Sequence, residues 1–146
     1  QTKLRQPIKV ARKLLGELLV EQSRPVTRQW GFYRVLYKGD GYTVKQLTIL
    51  PGKSLSDQRH FKRDEHWLVV KGELSLVTER ESPSNDINPT NTTSKLFHFM
   101  TPEYNNTLFI RAKTWHRPHN DGTENVVVVE TWIGNSSEED IERRNV

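Results

Sequence analysis

The sequence predicts an all-β domain, two antiparallel sheets closed as a sandwich or small barrel, behind one N-terminal amphipathic helix. Three observations lead there. From about residue 42 onward, short runs alternate apolar and polar residues with a period of two. Turn-forming residues separate those runs at short intervals, and only the first two dozen residues show the 3.6-residue period of a helix. A length of 146 residues suits one domain with one core.

The elements follow in order. Between Ile8 and Gln22, "IKVARKLLGELLVEQ" places Ile8, Ala11, Leu15, Leu18 and Leu19 on one stripe, with Pro7 suited to a first turn. That stripe needs a cover, either the domain behind it or a second copy in a homodimer. Residues 1–27 form this helical arm and residues 28–146 the β domain. After "SRPVTRQWG" the period shortens. In "YTVKQLTIL", Thr43, Lys45, Leu47 and Ile49 share one face and Val44, Gln46 and Thr48 the other. Further strands are predicted at "HWLVV", "ELSLVT", "KLFHFM", "TLFI" and "NVVVVETW". Gly39-Asp40-Gly41, Pro51-Gly52, Lys71-Gly72 and Asn120-Asp121-Gly122 punctuate them. Residues 79–94 hold a single apolar side chain, Ile87, and are predicted to be a long, mobile loop.

Charge and composition exclude several functions. The arm to Arg28 carries seven Lys/Arg against two Glu, leaving fifteen Lys/Arg against sixteen Asp/Glu in the rest. The basicity therefore belongs to the arm. No zinc-finger spacing or aromatic RNA-binding motif accompanies it, so no nucleic-acid partner is expected. No apolar run reaches the ~20 residues of a membrane span. The lack of cysteine removes disulfides, thiolate ligands and a Cys nucleophile, and points to a cytoplasmic setting.

The chemistry concentrates in "GKSLSDQRHFKRDEHWLVVKGE", Gly52 to Glu73. Gln58 and His60, at i and i+2 of an extended segment, project together. Glu65 opens the next strand after a short turn, and His116, at the end of a later strand, can close the set. An amide oxygen, two imidazoles and a carboxylate suit a divalent cation: Zn²⁺ first, then Mn²⁺, Co²⁺ or Fe²⁺. The competing reading is an exposed turn histidine beside a solvated acid. His66, next to Glu65, is expected on the opposite face, His98 in the core or on a sheet face, and His119 in a loop.

These residues resemble the first cupin motif: Gly52, five residues, Gln58-Arg59-His60, four residues, Glu65, six residues, Gly72, with Gln58 where the family carries His. The second motif is partial. Arg111 and Lys113 replace its Pro and Gly, while His116 and Asn120 keep their spacing. More closely, "PGKSLSDQRHFKRDEHWLVVKGELSLVT", the upstream "RQWGFYRVL", Lys45 in "YTVKQLTI" and the terminal "VVVVETWIGNSSEEDIERR" are similar to type II phosphomannose isomerases, over about Arg28 to Arg144. The departures are His60-Phe61-Lys62 in place of three histidines, a longer polar loop, and Lys113 where a Gly usually precedes the last ligand.

The resemblance implies a cupin double-sheet β-barrel, or jelly roll. It implies a small-molecule partner, a sugar phosphate, and conversion of mannose 6-phosphate to fructose 6-phosphate through a cis-enediol. Gln58, His60, Glu65 and His116 would hold the metal, and Arg63 and Arg117 would bind the phosphate. Lys45 would contact phosphate or transfer a proton, so Lys45 and Arg63 are the catalytic candidates. Glu130 could reach the pocket only if its strand turns that face inward. In larger relatives the domain follows a nucleotidyltransferase that makes GDP-mannose. A non-catalytic cupin binding a sugar phosphate or nucleotide sugar is the alternative, and an Fe²⁺ dioxygenase a more distant one.

Overall fold

The computed structural model describes residues 24–81, 92–100 and 106–145. The helix expected between Ile8 and Gln22, and the homodimer contact expected through it, lie outside the described residues. So does 82–91 of the expected loop. Among the described residues no helix is long and apolar enough to cross a membrane.

The strands are β1 (Val26–Arg28), β2 (Gly31–Gly39), β3 (Tyr42–Ile49), β4 (Asp57–Arg59), β5 (Asp64–Lys71), β6 (Glu73–Glu81), β7 (Thr92–Met100), β8 (Thr107–Ile110), β9 (Trp115–His119), β10 (Val126–Ile133) and β11 (Glu142–Arg144). They form a six-stranded sheet, β1-β2-β3-β10-β5-β8, and a five-stranded sheet, β11-β4-β9-β6-β7. The described pairings are antiparallel. This is the expected double-sheet barrel.

Alternation decides what each strand buries. β3 turns Thr43, Lys45, Leu47 and Ile49 inward, β5 turns Glu65, Trp67 and Val69, and β10 turns Val126, Val128, Glu130 and Trp132. Leu74 and Leu76 of β6 and Phe99 of β7 join Ile49, Val69 and Val128 in one apolar cluster between the sheets. Each such side chain, fully buried, contributes about 1.5–3 kcal/mol.

Two expected boundaries move. β1 pairs Val26 with Tyr33 across the turn at Gln29 and Trp30, so the division at 27/28 falls inside a strand. β6 and β7 pair as far as Glu81 and Thr92, which makes residues 79–81 and 92–94 ladder rather than loop. A ladder is held by backbone hydrogen bonds, and on a solvent-facing hairpin it needs no apolar side chains. Glu79 also accepts two hydrogen bonds from Arg144, at 2.9 and 3.0 Å.

Several motif residues prove to be backbone devices. Gly52 and Gly72 sit at φ +69° and +87°, and a Cβ on Gly72 would meet the Asn125 carbonyl oxygen at 2.8 Å. Asn120, fully buried, donates to the carbonyls of Ile49 (2.9 Å) and Glu124 (2.8 Å) and accepts from the Gly122 amide (2.9 Å). Its place in the motif thus reflects a stapled turn. Lys113 adopts φ +67°, the left-handed region where glycine is preferred, while its amide donates to the His60 carbonyl.

Candidate metal centre

Two strand pairs bring the ligand candidates together. β4 pairs with β9, with Gln58 opposite His116. His60 follows β4 directly, and Glu65 is the second residue of β5. His60, Glu65 and His116 are 2 %, 1 % and 1 % exposed, and their ligand atoms lie within 4.8 Å of one another. His60 Nε2 stands 3.2 Å from Glu65 Oε1, and His116 Nε2 stands 3.3 Å from Glu65 Oε2.

The tautomers follow from the partners. Carbonyl oxygens only accept, so His60 Nδ1 donates to Asp140 (2.6 Å) and His116 Nδ1 donates to Thr114 (3.0 Å). The nitrogens turned to Glu65 are therefore the two Nε2 atoms. Burial pushes His60 down to about 4, which keeps it neutral near pH 7. Burial opposes ionisation of Glu65, but His116, His60 and Arg63 outweigh it and hold the carboxyl well below its usual range. Trp67 Nε1 also donates to Glu65 Oε2 at 3.0 Å. One carboxylate and two imidazoles held through Nδ1 by backbone carbonyls match what a borderline divalent cation takes. Among the described residues, His116 Nε2 is buried without a hydrogen-bond partner. A buried unpaired nitrogen is costly, and a cation would satisfy it.

Arg63, 5 % exposed, ties this cluster to its surroundings. Its Nε donates to Glu65 Oε1 (2.9 Å), its Nη1 to Ser136 Oγ (3.0 Å) and the Ser137 carbonyl (3.1 Å), and its Nη2 to His60 Nε2 (3.1 Å). The guanidinium lies 3.5 Å from the Trp132 ring centroid. A neutral imidazole has one acceptor lone pair, so Arg63 and a cation compete for His60. Gln58, also buried, accepts from Ser56 Oγ at 3.1 Å and borders a cleft of about 670 Å³.

Lys45, Arg63, Glu130, Trp132 and Glu138 line the same cleft. Lys45 faces inward as its strand's alternation requires; its Nζ pairs with Glu138 and sits 3.6 Å from the Trp132 ring centroid and 4.4 Å from that of Tyr33. Burial lowers its pKa, with Glu130 and Glu138 opposing. Arg28, Lys53 and Arg143 add further cationic lining.

Arg117 does not join them. Neighbours in a strand point to opposite faces, so while His116 faces inward Arg117 stands on the side of Trp115 and His119, and it is absent from the cleft lining. On that side Arg59 and Arg144 flank Trp115 at 4.6 and 4.5 Å from the ring centroid. The phosphate contact expected of Arg117 would have to be made from that face. His66 pairs outside the cluster, opposite Phe109 and Thr131, as expected. His98 is on a sheet face, 3.0 Å from Ser75 Oγ. His119, expected in a loop, ends β9 and contacts Asp121 at 3.0 Å.

The strap from Ser136 to Asp140 lies in the terminal stretch that carries the resemblance, but its contacts have no local signal in the sequence. The Asp140 carboxylate accepts from the amides of Phe61 and Lys62, both at 3.0 Å, and from Ser136 Oγ at 2.7 Å, while Asp140's carbonyl anchors His60. It thereby shapes the turn between two ligands. Glu130, whose face the sequence leaves open, shares the inward face of β10 with Val126, Val128 and Trp132.

Residues 16–145 match the model of the family "Mannose-6-phosphate isomerase C-terminal". The chain is 32% identical over 115 residues to a mannose-1-phosphate guanylyltransferase of Salmonella muenchen, covering 79% of this chain and 21% of that protein. It is 31% identical over 139 residues to the alginate biosynthesis protein AlgA of Pseudomonas putida, covering 90% and 25%. The chain thus spans about a quarter or less of these curated relatives. Among solved structures, the capsular polysaccharide assembling protein CapF of Staphylococcus aureus superposes with a TM-score of 0.67 at 16% identity, over 84% of this chain and 34% of that one. Oxalate decarboxylase of Lactobacillus farciminis gives 0.65 at 14%, over 85% and 34%. At such identities the likeness is one of fold, the cupin barrel.

Proposed function

Because the chain belongs to the family of mannose-6-phosphate isomerase C-terminal domains, we propose that it is a divalent-metal-dependent isomerase interconverting mannose 6-phosphate and fructose 6-phosphate. The observation that carries this reading is the buried His60–Glu65–His116 cluster, with both Nε2 atoms turned to one carboxylate beside a cationic cleft. Gln58, His60, Glu65 and His116 would hold the cation, Zn²⁺ by preference. Once bound there, the cation would serve as a Lewis acid toward the sugar's carbonyl and adjacent hydroxyl oxygens, easing removal of the proton at C2.

The remaining groups bind and orient. Arg63, held by Ser136 and Ser137, places a fixed positive charge between the ligands and the cleft. It stabilises negative charge developing on the enediol. Lys45, still paired with Glu138, offers a second cation for that charge or for the phosphate. Arg28, Lys53 and Arg143, which line the cleft, would meet the phosphate. Trp132 and Tyr33 wall the cleft beside Lys45 and limit water around it. The guanylyltransferase named for the longer relatives forms no part of the proposal. A cytoplasmic setting suits a chain without cysteine.

The test is a coupled assay of the purified chain loaded with Zn²⁺, Mn²⁺ or Co²⁺. Interconversion of the two sugar phosphates, abolished by a chelator and restored by the cation, is the expected result. Binding of either sugar phosphate without turnover under every cation would overturn the reading in favour of a non-catalytic binding domain.

A further inference from the structure

Aldose–ketose isomerisation needs one group that takes a proton from C2 and returns it to C1, and neither the ligand cluster nor Arg63 can do so. His60, Glu65 and His116 are turned toward one another, and Arg63's guanidinium offers donors only. Of the other titratable groups lining the cleft, Arg28, Lys53 and Arg143 are the cations assigned to the phosphate, which leaves Tyr33, Lys45, Glu130 and Glu138. Glu138 is 58 % exposed at its side chain and bound to Lys45, while Lys45 is enclosed by that carboxylate and two aromatic rings. Tyr33, its phenol raised further by burial, holds its proton too firmly to act as a base.

Resting on the isomerase reading, we infer that Glu130 is the proton-transfer group of this cleft. It is 5 % exposed, faces inward from the middle of β10 and lines the cavity with Gln58 and Arg63. Its backbone partners are Lys45 on β3 and Trp67 on β5, and Trp67 in turn donates to Glu65. The carboxyl therefore sits one strand over from a metal-ligand candidate, on the side where the cations line the cleft. It forms no ion pair with either flanking cation. Burial, with the charge of Glu65, lifts it to about 8, while Lys45 and Arg63 favour its charged form. A carboxyl poised near neutrality can both accept and return a proton.

The step balances within the sugar. The ionised Glu130 takes the C2 proton as the C2–H bond breaks; that electron pair becomes the C1–C2 double bond while the C1=O π pair moves onto O1. The carboxylic acid then gives its proton to C1, the C1–C2 π pair forms the C1–H bond, C2=O forms, and the proton leaving the C2 hydroxyl passes to O1. Nothing is oxidised or reduced overall.

The experiment compares wild type, Glu130→Gln and Glu130→Asp, each loaded with Zn²⁺. It follows turnover, exchange of the C2 proton of mannose 6-phosphate in D₂O by NMR, bound zinc, and sugar-phosphate affinity. The expected result is loss of both turnover and exchange in Glu130→Gln by on the order of 10²–10⁴-fold, with zinc content and affinity within twofold of wild type and partial recovery in Glu130→Asp. Active wild type with exchange in Glu130→Gln within tenfold of it overturns this inference alone. So does a Glu130→Gln protein that loses zinc or affinity as steeply as turnover. An inactive wild type overturns the isomerase reading beneath it.

Discussion

The two ends of the barrel interior make a controlled comparison, because the same strands line both. Going along β10 and its neighbours, one row sets Val126 beside Ile49, and the next sets Val128 between Leu47 and Val69. The third sets Glu130 between Lys45 and Trp67, and the last sets Trp132 between Thr43 and Glu65. Backbone, twist and inward face continue without a break while the environment changes from aliphatic to ionisable. The difference teaches a division of labour. Burial at the dry end supplies folding energy, and the charged end spends part of it holding groups whose burial is unfavourable in itself.

Substitutions at the two ends should therefore fail in different assays. The largest effect is expected from His116→Leu. It removes a cation ligand but also a buried nitrogen with no protein partner. Zinc affinity should fall roughly a thousandfold or more, beyond the 10–100-fold typical of outer-sphere changes, while urea midpoints in chelator stay level or rise. Ile49→Ala, in the dry row, should do the reverse: a loss of about 2–5 kcal/mol in urea denaturation with the stoichiometry of bound zinc unchanged.

Glu130→Gln sharpens the boundary between the ends through pH. The folded carboxyl titrates near 8 and the unfolded one near 4.5, so between those values the folded state holds the extra proton and wild-type stability falls as pH rises. Lys45 and Arg63 soften this, and Glu65 reinforces it. In chelator the variant should match wild type below pH 4.5 and exceed it by roughly 2–4 kcal/mol at pH 8. Equal slopes from pH 5 to 8 would place Glu130 in water. The smallest effect belongs to Lys113→Gly at the entry to β9, where relief of the left-handed backbone should add about 1 kcal/mol in thermal or urea unfolding. Unchanged or lower stability would show that the Lys113 side chain earns its position.

Much of this was legible in the residues. Alternation in "YTVKQLTIL" placed Lys45 inward beside Leu47 and Ile49, and the spacing of Gln58, His60 and Glu65 with a distant His116 anticipated a cluster whose His and Glu members meet. What is less legible has one physical origin. Arg117 adjoins His116 in sequence, yet one step along a strand reverses the face. Glu130 was undecided because four consecutive valines give no phase, and only pairing with Lys45 and Trp67 fixes it. The strap from Ser136 to Asp140 acts on His60, Phe61, Lys62 and Arg63, and no local pattern announces a partner some 80 residues away.

That strap bears on the order in which the molecule is made. Its bonds to Phe61, Lys62 and Arg63 close loops of 73 to 79 residues, and the bond to His60 closes one of 80. Closures of this length come late, after the local hairpins. A nascent polypeptide halted just before Ser136 would already contain every side chain assigned to the cation, yet His60 would lack the carbonyl that sets its tautomer. Ion capture would then mark completion of folding, an endpoint that time-resolved zinc uptake during refolding can follow.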